Sequence, residues 1–268
     1  MKALICLFSV FLSFSLFAQG DINKIDANGL KQGTWEKKFE NGQVRYRGQF
    51  VDDKPVGTFF YYYEEGGKSS EVAYESESDV SHAKFFHKNG VVMSEGDYFK
   101  RQKQGVWKFY DGKTVLSMVE TYEAGILNGT QIVYYLNGKP SSKTPYVNGL
   151  KNGPFVEYFS NGKIKTEGTF LDDNYDQEFK QYYSDGTIYA EGQYRAAVKD
   201  GQWVYYAEDG QIMVQELWEH GKMKKRVRAE GYEEQFSPME LDPEKVLDEN
   251  TIMEQYFNEM NGTGGDGQ

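Results

Sequence analysis

The chain has 268 residues, of which 39% are hydrophobic and 16% aromatic, and its 41 acidic against 30 basic residues give a formal charge of −11. So acidic a balance argues against nucleic acid as a partner, because a phosphate backbone recruits net-positive surfaces. A single cysteine, Cys6, excludes a disulfide framework.

The first predicted element is an export signal. Met1-Lys2 supplies a short positive start, Ala3 to Phe17 is almost uninterruptedly apolar, and Ala18-Gln19-Gly20 offers small residues for cleavage. Residues 1–19 are therefore expected to leave the mature protein near Ala18-Gln19, which places it in the periplasm or outside the cell. An uncleaved anchor is the alternative, although fifteen apolar residues are short for a bilayer span. Cys6 lies inside this segment and too early for a lipoprotein cleavage site, so the mature chain has no thiol and no cysteine metal site. Residues 20–32 form a lead-in.

From Gly33 to Lys224 a 24-residue unit recurs eight times. Glycine opens it at Gly33, Gly57, Gly105, Gly129, Gly153 and Gly201, while Ser81 and Gln177 hold the same column. Seventeen residues further on comes an aromatic in every unit: Phe50, Tyr74, Tyr98, Tyr122, Tyr146, Phe170, Tyr194 and Trp218. Such self-similarity signifies a stacked array. Asn-Gly or Asp-Gly pairs such as Asn41-Gly42, Asn137-Gly138 and Asp185-Gly186 point to hairpins closed by two-residue turns with positive φ at both central residues.

Such a turn at Asn41-Gly42 sets Phe39 opposite Val44, Lys37 opposite Tyr46 and Trp35 opposite Gly48. One face then gathers Trp35, Phe39, Val44, Tyr46 and Phe50, and the other Glu36, Lys38, Arg45, Arg47 and Gln49. The second connection, Val51 to Val56, reads as a longer solvated loop. In the fourth unit Asp111-Gly112 falls two residues early, an even slip that keeps side chains on their faces.

The motif, roughly G-x-W-x-x-Y-Y-x-N-G followed by E-G-x-Y, resembles the MORN family in its second variant. Its best copies are Gly33-Thr34-Trp35 with Asn41-Gly42, Gly153 to Phe170, and Gln177 to Tyr194. Bacterial chains of this pattern are also similar to YwqK-type antitoxins of toxin–antitoxin systems. The resemblance implies an all-β elongated antiparallel sheet of about eight hairpin repeats, roughly 75 Å long for sixteen strands. It further implies scaffolding, membrane contact or neutralisation by binding.

After the array, residues 225–241 read as a linker. From Ala229 onward there are eleven acidic residues against Lys245 alone, preceded by the basic cluster Lys222, Lys224, Lys225, Arg226 and Arg228, which solvates the end strand. Asp242-Pro243-Glu244 is a helix-start signal, and Val246, Leu247, Asn250, Met253, Tyr256, Phe257 and Met260, all but Asn250 apolar, then share one helical face. An acidic amphipathic helix is expected over 242–260, with a disordered tail at 261–268. It either caps the end of the array or docks a partner.

No motif of nucleophilic, metal-dependent or nucleotide chemistry is present, so the chain reads as a non-enzyme without cofactor or metal. His82 and His87 point to opposite faces of a strand, and His87 stands in a core-face aromatic column. The paired acids Asp52-Asp53 and Asp172-Asp173 read as solvated loop residues rather than a calcium cage. The candidate binding residues are a second ring column, Tyr62, Phe86, Tyr110, Tyr134, Tyr158, Tyr182 and Tyr206, on the face opposite Trp35 and Phe50. These rings either shield the sheet or grip a ligand beside Glu71, Glu95, Glu167 and Glu191. The expected role is an exported protein-interaction scaffold, antitoxin-like in binding an envelope or secreted protein. A glycan- or lipid-associating module is the alternative.

Overall fold

The computed structural model describes residues 21–75 and 78–231. The expected export segment 1–19 and the expected helix at 242–260 lie outside the described residues. Twenty strands form one open antiparallel sheet, from Lys24–Ile25 to Lys222–Arg228. Each strand pairs with its neighbours in chain order, so the sheet is a continuous meander. Ile126–Leu127 and Leu150–Lys151 are short outer pieces of rungs that resume at Gly129–Tyr134 and Gly153–Tyr158. The last strand, Lys222–Arg228, carries the ladder into the stretch read as the start of the linker.

The two kinds of connection are the reverse of the sequence expectation. At Asn41-Gly42 the Phe39 N–H donates to Gln43 O at 2.8 Å and the Gly42 N–H donates to Phe39 O at 3.0 Å, with Gly42 alone at positive φ, +84°. This is a three-residue loop, a turn followed by a left-handed glycine, so Phe39 faces Gln43 rather than Val44. The two-residue reversals with both φ positive occur instead at the second connection: Asp52-Asp53 (49° and 63°), Asp172-Asp173 (47° and 66°) and Ala196-Ala197 (49° and 67°). There Val51 pairs directly with Lys54. Residue preference misled here because these three tight turns are filled by Asp and Ala, and of the Asn-Gly pairs only Asn148-Gly149 (51° and 84°) makes such a turn, whereas Asn41-Gly42 and its counterparts serve the longer loop.

The loop geometry also corrects the faces. Lys37 pairs with Tyr46 and Lys38 with Val44, leaving Arg45 as the extra residue of a bulge. One added residue inverts parity beyond it. The column of Arg45 therefore joins the aromatic face, where Ser69, Met93, Ser117 and Tyr189 are buried and the Arg45 guanidinium lies 5.8 Å from the Phe39 ring centre. Val44 goes to the other face.

In the fourth unit the turn does not slip at all. Asp111 N–H donates to Val115 O at 2.9 Å in the standard frame, and Thr114 takes the left-handed place at φ +74°. The opening column of glycines has its own backbone cause: Gly33, Gly57, Gly105 and Gly201 lie at φ between 66° and 71°, and Gln177 is forced to +66°. Ser81 escapes because its strand pairs without a bulge, in unbroken register from Ser70↔Phe85 to Tyr74↔Ser81.

The core sits on one face of this single layer. Trp107, Phe109 and Met118 are buried in one cluster with Phe85 and Val133, and Trp203, Tyr205 and Val214 in another with Phe155 and Phe179. Rings meet edge to face across neighbouring strands, as in Tyr98–Trp107 at 5.0 Å and Tyr194–Trp203 at 5.1 Å. They lie flat on glycine: a Cβ on Gly96 would come within 2.4 Å of the Trp107 ring, and one on Gly192 within 2.3 Å of Trp203. The column led by Tyr63 sends its polar tip into the next unit. Tyr63, Tyr135 and Tyr183 hydroxyls donate to the carbonyls of Phe86, Tyr158 and Tyr206. His87 fills the same column and reaches Tyr110 O through Nε2 at 3.2 Å.

Candidate binding surface

The face opposite the core carries a ring row, a charged middle row and, beyond it, the row of Thr58, His82, Val106 and Thr130. At the hairpin-turn end stand Tyr62, Phe86, Tyr110, Tyr134, Tyr158, Tyr182 and Tyr206, all half-buried. Successive members are two strands apart, about 10 Å, so the column is an even ridge along the ladder. Three of its hydroxyls are tied to acids of the preceding unit: Tyr110 to Glu95 at 2.8 Å, Tyr182 to Glu167 at 2.6 Å, and Tyr206 to Glu191 at 2.7 Å. Where Phe86 offers no hydroxyl, Glu71 instead accepts from Lys68 at 2.8 Å. Lys68 also rests 5.1 Å from the Phe86 ring centre.

These bonds shift the titrations. Loss of water and the Glu95 carboxylate push the Tyr110 hydroxyl up to about 12. The same causes, with Glu167, push Tyr182 up to about 12. Tyr206 is raised chiefly by its bond to Glu191. Glu95 is lowered in return, first by the Tyr110 hydroxyl and then by Lys84.

The middle row alternates sign across strands, Glu71↔Lys84, Lys84↔Glu95, Glu95↔Lys108, and again Glu167↔Lys180 and Lys180↔Glu191. Two shallow open grooves run beside it, one of about 540 Å³ around Glu71, Lys84 and Glu95, the other of about 590 Å³ around Lys143, Val156 and Glu167. Eleven of the twelve lining positions of each groove correspond at a spacing of three units, from Thr58/Thr130 to Lys108/Lys180. In the first groove His82 is held between Asp97 (Nδ1, 2.5 Å) and Glu75 (Nε2, 2.9 Å), and these bonds, Asp97 first, raise its pKa.

The paired acids act as joints between units. Asp53 Oδ1 accepts the Lys31 N–H at 2.8 Å, and Asp173 Oδ1, five units on, accepts the Lys151 N–H at 2.8 Å. Asp52 and Asp172 accept from the side chains of Gln32 and Asn152. Among the described residues no group of three or more His, Cys, Asp and Glu could hold a metal ion.

Sequence reasoning missed a column of lysines above the core rings. Lys31, Lys103 and Lys199 place their ammonium groups 5.0, 4.7 and 4.2 Å from the centres of Trp35, Trp107 and Trp203. Their in-phase spacing was the available signal. It also missed Glu216, buried under Trp218, Tyr205 and Arg226, which all donate to it.

Five segments, 31–52, 127–148, 151–172, 178–196 and 199–220, match the MORN repeat variant. Those five segments carry the MORN repeat pattern. Between the first and second MORN matches, the described residues of 53–126 continue the same hairpin ladder although the sequence departs from the pattern at Ser81, Ala83 and Thr114. Among solved structures the chain is similar to one in a Tc holotoxin pore of Photorhabdus luminescens, at 12% identity and a TM-score of 0.17, over 73% of this chain. It spans about 15% of the length of that toxin chain. No curated protein matches.

Proposed function

We propose that this MORN-repeat chain is a non-catalytic exported scaffold that binds a protein of the envelope or the extracellular space through the face bearing the tyrosine ridge. The observation that carries the reading is the ridge itself: seven half-buried rings in one column, three pinned by carboxylates, beside a row of alternating charge. Rings held at fixed spacing contribute contact area with little ordering cost, and the flanking charges set orientation. Antitoxin-like neutralisation is one form of such binding, with a secreted or envelope protein as its target. The compartment rests on the export signal expected from residues 1–19.

The test is copurification from an envelope extract with the mature chain and a Tyr134→Ser/Tyr158→Ser/Tyr182→Ser variant. The parent retains a specific partner and the variant, still folded by circular dichroism, loses it. Retention unchanged in the variant removes the ridge from recognition. Retention of the chain on cell-wall polysaccharide or lipid vesicles with no other protein present favours the glycan- or lipid-associating alternative.

A further inference from the structure

The two ends of the sheet are finished differently. At the N-terminal end Lys24–Ile25 pairs with only two residues, Gln32 and Lys31, and Asn23 seals the neighbouring stretch of that edge. Its N–H donates to Thr34 O at 2.9 Å, its side-chain amide donates to Glu36 O at 3.0 Å, and its Oδ1 accepts the Glu36 N–H at 2.8 Å. One asparagine thus occupies the backbone groups that another strand would use.

The C-terminal end has no such plug among the described residues. Lys222–Arg228 pairs with Ile212–Glu219 on one side, all seven of its residues are exposed, and five of them are basic. Such an edge is a template for a further strand or a covering segment, and its charge selects an acidic one. Ala229 N–H still donates to Met213 O at 2.9 Å, and Glu230 and Gly231, the latter at φ +90°, then begin a turn. The 37 residues after Gly231 hold ten acidic side chains against Lys245 alone.

We propose that segment 232–268 of the same chain covers the Lys222–Arg228 edge, held there by charge complementarity and by its attachment at the Gly231 turn. Tethering makes the contact intramolecular and gives the segment a local concentration that a separate acidic strand lacks. The edge is a different surface from the tyrosine ridge, so loss of partner capture by the ridge variant leaves this contact standing.

The experiment uses the full mature chain. Amide hydrogen exchange of the outward N–H groups of Lys222–Arg228 is followed at low salt and at about 1 M salt, where the Debye length is about 3 Å. The parent shows protection at low salt that falls by about tenfold or more at high salt. A Lys222→Glu/Lys224→Glu/Lys225→Glu variant, which leaves Arg226 on Glu216, loses that protection at low salt. Carbodiimide cross-links join these lysines to carboxylates of 232–268 in the parent, a readout that does not depend on the variant folding. Exchange indifferent to salt, or an absence of such cross-links, overturns the proposal. Protection that rises with protein concentration also overturns it and gives the edge to a second copy.

Discussion

Gln131 donates its side-chain N–H to Glu120 Oε1 at 3.0 Å, and both residues are buried, at 2% and 3% exposure, on the ring-bearing face. Gln131 stands in the column of Trp107, Phe155 and Trp203, and Glu120 in the column of Gly96, Gly168 and Gly192. The fifth unit therefore exchanges a ring lying on a glycine for an amide facing a carboxylate, which the Tyr122 hydroxyl also approaches at 2.6 Å. Replacing Gln131 by Leu leaves the carboxylate short of a donor. A loss of about 2–3 kcal/mol is expected in denaturant unfolding. The pair Glu120→Gly/Gln131→Phe restores the pattern of the other units and recovers most of that loss.

Two glycines of different duty separate steric from conformational cost. A Cβ on Gly192 meets the Trp203 ring at 2.3 Å, whereas Gly210 has open space but φ +79°. Gly192→Ala is expected to cost about 3 kcal/mol through overpacking, and Gly210→Ala about 1 kcal/mol through backbone strain. Equal melting shifts in the two variants would contradict this division.

Thr114 is a β-branched residue held at φ +74°. Thr114→Gly relieves the left-handed penalty and gives back part of it in chain entropy, a net gain of roughly 1 kcal/mol. The urea midpoint rises with an unchanged slope.

Ionisation of the ridge hydroxyls is delayed by the fold. Tyr110 and Tyr182 are pushed from 10.0 up to about 12. A folded value above the unfolded one means that their contribution is complete below pH 10 and is lost as pH rises toward 12. Ultraviolet titration of the parent against Tyr110→Phe/Tyr182→Phe isolates a late-ionising component, and its absence would contradict the assignment.

His82 works in the same direction at lower pH. Its bonds to Asp97 and Glu75 raise its pKa above 6.5, so its stabilisation is complete below pH 6.5 and fades as pH climbs through the folded value. The melting difference between parent and His82→Gln is therefore largest in mild acid and shrinks in mild alkali. A difference independent of pH would assign His82 a packing role only.

Much of this architecture was legible because columns at 24 residues survive inspection by eye. Trp35 opposite Gly48, Lys37 opposite Tyr46 and the face of the tyrosine ridge all followed from period two. What failed was local. Parity between Val44 and Arg45 hinges on one bulged residue, and no residue type announces a bulge when Arg, Ser, Met and Tyr all fill the place. The tight reversals at Asp52-Asp53 and Ala196-Ala197 carry no glycine to mark them, and at Ala196-Ala197 the surrounding ladder rather than intrinsic preference imposes the left-handed backbone. On the candidate surface, the acids beside the ridge could be named from sequence, but that Tyr110, Tyr182 and Tyr206 bond them required coordinates.

Because every strand finds its partners next door in the chain, assembly needs no distant segment to arrive. A polypeptide delivered N-terminus first can crystallise each hairpin onto the one already laid down, with the Asn23 end as its seed. Growth then proceeds by successive addition rather than by global collapse, and a defect in one unit burdens chiefly those still to be made.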